Sequence, residues 1–62
     1  MRIYYLQTIT NTGKKYLTED KNGKAGITTN ANEAKIFAYK KDANFVCKKL
    51  NTQVRAIFTV QG

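Results

Sequence analysis

The chain of 62 residues has no histidine, no proline and no tryptophan, a single cysteine and only four acidic residues. Each scarcity excludes something. Without histidine there is no side chain that titrates near neutrality at its ordinary pKa. The acids do not form a working pair either: Glu19 and Asp20 are neighbours that point to opposite faces of a strand, Glu33 suits a helix cap, and Asp42 suits the first turn of a helix. An enzyme is therefore not expected. Cys47 has no second cysteine for an intrachain disulfide and no imidazole beside it, so neither a structural zinc site nor any other cofactor is expected. Gly13, Gly23, Gly26 and Gly62 lack the spacing of a phosphate-cradling loop and read as turns and a terminus. No linker-like stretch, repeat or low-complexity run divides the chain, which predicts one domain over 1–62.

What is abundant is positive charge: eleven Lys and Arg against four Asp and Glu, a net +7 at pH 7. That balance favours anionic partners. Met1 to Ile9 is one charge and a short apolar run broken by tyrosines and glutamine, too short and too polar for a signal-peptide core or a spanning helix. A cytoplasmic location without membrane insertion is expected, and an unpaired thiol suits that reducing compartment.

Periodicity places the elements. Arg2 to Ile9 is rich in β-branched and aromatic residues and predicts a first strand. Asn11-Thr12-Gly13 is a turn, Lys15-Tyr16-Leu17-Thr18 a second strand, Asp20-Lys21-Asn22-Gly23 a second turn, and Ala25 to Thr28 a short third strand. At Asn30 the pattern changes: Asn30 with Glu33 has the form of a capping box, and Ala34, Phe37 and Ala38 have helical spacing, which predicts a short helix. A second helix over Lys41 to Leu50 carries Ala43, Val46, Cys47 and Leu50 on one stripe, with Asn51 as its stop. Cys47 lies on that stripe, which favours a buried structural thiol over a nucleophile. Gln53 to Gln61 alternates, with Val54, Ala56, Phe58 and Val60 on one face, and predicts a last strand paired beside the first. The expected fold is α+β, a small two-layer domain whose antiparallel β-sheet (β-β-β-α-α-β) has both helices on one face.

Two surfaces stand out. With Ala43 at zero on a helical wheel, Lys41, Phe45 and Lys48 fall at about 160°, 200° and 140°, and Lys49 at about 240°, while the apolar stripe centres on about 350°. An aromatic among lysines can stack on a base, pack on a partner or anchor a dimer; it can also fold under a neighbouring element. On the first strand, Tyr4 and Tyr5 point to opposite faces. One of them, with Tyr16 and flanked by Arg2 and Lys15, can form an aromatic patch on the sheet face that no helix covers. The candidate partner-binding residues are thus Lys41, Phe45, Lys48, Lys49, Arg2, Tyr4, Tyr16 and Lys15. Because the charge is nearly all lysine, nucleic-acid binding through them would be electrostatic and sequence-tolerant.

The run Lys15-Tyr16-Leu17-Thr18, the run Ile27-Thr28-Thr29-Asn30 leading into Glu33-Ala34-Lys35-Ile36-Phe37, and the segment Ala43 to Asn51 together resemble a pattern common among very small phage and prophage proteins of Gram-positive bacteria. The resemblance implies an early-expressed binder that inhibits or redirects host replication, transcription or defence enzymes. It transfers no functional residue, since the matching positions are the cap, the hairpin and the core. The expected function is a non-catalytic basic binding protein directed at an acidic surface of a host nucleic-acid-handling or defence protein. Direct nucleic-acid binding is the alternative, and a homodimer is compatible with either.

Overall fold

Turn chemistry sets the first three strands. The computed structural model describes residues 2–53 and 57–62. β1 (Tyr5–Thr10) and β2 (Gly13–Glu19) are joined by Asn11-Thr12, with Thr10 opposite Gly13. Gly13 has φ 120°, a value that side-chain-bearing residues rarely adopt. The turn into β3 (Ala25–Thr28) is organised by Asp20: its carboxylate accepts from the amides of Asn22 (2.8 Å) and Lys24 (2.9 Å), and Gly23 takes φ 82°. All three pair antiparallel, and β4 (Thr59–Gln61) adds to the free side of β1, giving the order β3-β2-β1-β4. The expected place of the last strand, beside the first, is the observed one.

One helix, α1 (Lys40–Gln53), packs on one face of this sheet. The fold is a small α+β domain of two layers, as the periodicity predicted. Leu6, Leu17, Phe37, Ala43, Cys47 and Phe58 form the core, with Tyr4, Val46, Leu50 and Val60 packed against it. Leu6 is fully buried, which contributes roughly 1.5–3 kcal/mol relative to exposure. The helical stripe Ala43, Val46, Cys47 and Leu50 therefore faces inward as predicted.

The helix expected from Asn30 does not form. A single 3-10 turn (Ala31–Glu33) is followed by extended chain. The Asn30 side chain accepts from Asn32 N (3.0 Å), and the Glu33 carboxylate accepts from the Thr28 hydroxyl (2.8 Å), so the capping residues serve a turn. The cause lies in the sheet. β1 and β2 stay paired only from Gln7 opposite Tyr16 outward, which opens a slot between Tyr4 and Leu17. Extended chain fills it: Lys35 N donates to Leu17 O (2.8 Å), Phe37 N donates to Tyr4 O (2.8 Å), and Tyr4 N donates to Phe37 O (2.9 Å). A helix would leave these inward groups unpaired, at about 1–3 kcal/mol for each one buried. Glu33 O accepts from Thr18 on one face of the sheet, and Phe37 sits in the core on the other, so the chain crosses the sheet through the slot. Ala34 and Phe37 are buried as expected, but Ala38 is exposed.

The last strand is also shorter than Gln53 to Gln61. The helix continues past Asn51 to Gln53, and Val54, Arg55 and Ala56 lie outside the described residues. Where it is described, the alternation holds: Phe58 is buried, Val60 packs on the core, and Ile57 and Thr59 are exposed. Asn51 is the link between the two layers. Its amide donates to Phe58 O (3.0 Å) and accepts from Phe58 N (2.7 Å), while the Cys47 thiol donates to the same carbonyl (3.0 Å).

Candidate partner-binding surface

Since α1 turns Ala43 and Cys47 inward, its opposite face is fixed by the 100° step between residues. Lys41, Phe45, Lys48 and Lys49 are all exposed there, and Phe45 is 70% accessible. No element among the described residues covers Phe45; part of the loop before the last strand lies outside them. Phe45, Lys48, Lys49, Thr52 and Gln53 line a shallow depression of about 360 Å³ whose surface is mostly apolar. Thr52 and Gln53 join this face because the helix runs one turn further than the sequence pattern indicated.

Among the described residues no carboxylate pairs with any of these lysines. The one ion pair among those residues is Lys35 with Glu19 (3.0 Å), which joins β2 to the segment after the 3-10 turn. The acids have local tasks: Glu19 pairs with Lys35, Asp20 holds its turn, and Glu33 binds Thr28. Asp42 lies in the first turn of α1, where its charge favours the helix N-terminus. The outer face of α1 is therefore a cationic rim of three lysines, Lys41, Lys48 and Lys49, about an apolar centre.

The other predicted residues do not join this surface. Tyr16 packs against Tyr5, with ring centroids 5.8 Å apart and planes tilted by 58°. This pair lies on the sheet face away from α1. Tyr4 is on the core side instead, packed on the hydrophobic cluster, so Tyr5 is the tyrosine that partners Tyr16. Strand alternation corrects a lysine as well. Lys15 stands opposite buried Thr8 and so on the helix side, whereas Lys14 stands opposite Ile9 on the Tyr16 side. Arg2 is exposed and precedes the Tyr4–Phe37 bridge, at the edge of both faces. Of the eight candidates, Lys41, Phe45, Lys48 and Lys49 share the outer face of α1, Tyr16 lies on the bare face of the sheet, Tyr4 and Lys15 are on its helix side, and Arg2 precedes β1.

Cys47 is buried with its thiol donated to Phe58 O, a structural placement. No helix among the described residues is long and apolar enough to cross a membrane, and none of their side chains form a group of three or more potential metal ligands. No family model matches the chain, and no curated protein or solved structure matches it either.

Proposed function

We propose that this chain is a non-catalytic binding module that docks the outer face of α1 onto an acidic patch of a protein partner. One observation carries the reading: Phe45, 70% exposed, stands among Lys41, Lys48 and Lys49 with no carboxylate paired to any of them. An exposed aromatic side chain can anchor an interface when a partner buries it, while lysines around it steer the encounter. The resemblance to small phage proteins supports a host nucleic-acid-handling or defence protein in the cytoplasm as that partner. Capture from nuclease-treated host lysate tests it: the chain is expected to retain one partner that Phe45→Ala releases. A partner lost on nuclease treatment, or retained equally by Phe45→Ala, overturns the reading.

Direct binding to nucleic acid is the second reading, and the same three lysines favour it. Three phosphate contacts give a salt slope of about −2.7, so affinity for duplex DNA would fall roughly 40-fold between 50 and 200 mM salt. Absence of any electrophoretic shift at the lower salt removes this reading.

A further inference from the structure

A second surface remains that the docking role of α1 does not use, the face of the sheet opposite the helix. It carries Tyr5, Gln7 and Ile9 from β1, Lys14, Tyr16 and Thr18 from β2, and Thr59 and Gln61 from β4. Ile9 and Ile57 are both 73% exposed, and Ile57 points away from the core next to buried Phe58. Of the described strand residues on this face, Lys14 alone is charged; Glu33 lies over its far end, bonded to Thr28. In a chain of net +7, so little charge across a whole face is a departure from the rest of the surface.

We infer that this sheet face is a symmetric dimer interface, occupied by the same face of a second copy of the chain. Accessible area supports that occupant. A monomeric globule of 7.0 kDa is expected to expose about 4,000 Å², following the size scaling of folded proteins. This chain exposes 4943 Å². The excess, about 900 Å², is close to the roughly 800 Å² that each partner contributes to a standard interface. Charge selects the same face. Two chains of +7 repel wherever lysines meet, and this face, with one strand lysine, is where they can approach. Two such sheets would stack about 10 Å apart around a two-fold axis, interleaving Ile9, Tyr16 and Ile57 with their copies. Both α1 helices would then face outward, so this inference stands apart from the docking role of α1.

Sedimentation equilibrium of the full chain, from about 10 to about 500 µM, tests the assignment. A mass of twice 7.0 kDa is expected, with association stronger at about 0.5 M than at about 0.1 M salt, because salt screens the mutual repulsion. Ile9→Asp and Thr59→Lys, both at exposed positions, are each expected to weaken association at least 10-fold while circular dichroism stays unchanged. Phe45→Asp should leave it intact. A monomer across the whole range, or a dimer that survives Thr59→Lys and is lost with Phe45→Asp, overturns the assignment. Partner capture through α1 is read out separately, so failure of either proposal is distinguishable from failure of the other.

Discussion

The outer face of α1 and the bare face of the sheet lie on opposite sides of one thin core and differ in kind. The first is a rim of Lys41, Lys48 and Lys49 around one ring, Phe45; the second is broad, with Tyr5, Tyr16, Ile9 and Ile57 and a single strand lysine. Exposed apolar atoms alone would not separate them, since Phe45 and Ile9 are about equally accessible. The surrounding charge does. A cationic rim favours a partner of opposite sign and loses strength as salt rises, whereas self-association through a sparsely charged face of a cationic chain gains from salt. Ionic strength therefore acts on the two faces with opposite sign.

The strongest way to break this contrast is to remove what the faces share. Leu6→Ala opens the centre of the core and should lower stability by about 2–5 kcal/mol, abolishing both activities together; thermal unfolding followed by circular dichroism checks it. Next in size, Phe45→Ala should weaken partner binding by about 2 kcal/mol or more. Its unfolding free energy should move by no more than about 0.5 kcal/mol, as an exposed ring implies, and a larger loss would show that the ring is a packing residue. Asn51→Ala should lower stability by about 1–3 kcal/mol, because Phe58 N–H loses its acceptor. A urea titration measures that loss, and self-association should suffer before docking by α1, since β4 is the element set loose. Smallest, Lys35→Ala removes a half-exposed ion pair with Glu19 and should change the urea midpoint by the equivalent of about 0.2–1 kcal/mol, leaving both faces unaltered.

How legible each part is in the sequence depends on how far away its cause lies. The basic face was readable because a helical stripe and its opposite are set by a 3.6-residue period within one segment, and Ala43, Val46, Cys47 and Leu50 mark it. The hairpins were readable from Asn11-Thr12-Gly13 and Asn22-Gly23 for the same local reason. The segment after Asn30 was misread because its partners, Leu17 and Tyr4, are remote, and three backbone hydrogen bonds to them outweigh a sound local helix signal. Asn51 looked like a helix stop because nothing in its surroundings announces Phe58 as a partner. Alternation established that Tyr4 and Tyr5 face opposite ways, yet not which of them faces the helix; the pairing of Tyr4 with Phe37 decides that.

That same bridge gives β1 two different histories. Its outer half, Gln7 to Thr10, is held by the hairpin neighbours Gly13 to Tyr16, whose pairing closes only a short loop. Its inner end is held at Tyr4 by Phe37 and at Tyr5 and Leu6 by Gln61 and Val60, all of which must arrive from far along the chain. One strand thus joins an early event to a late one. Pulse-labelled hydrogen exchange should find the Thr8 and Thr10 region protected first and the amides of Tyr4 and Tyr5 last, with the order in which the molecule closes written along a few consecutive residues.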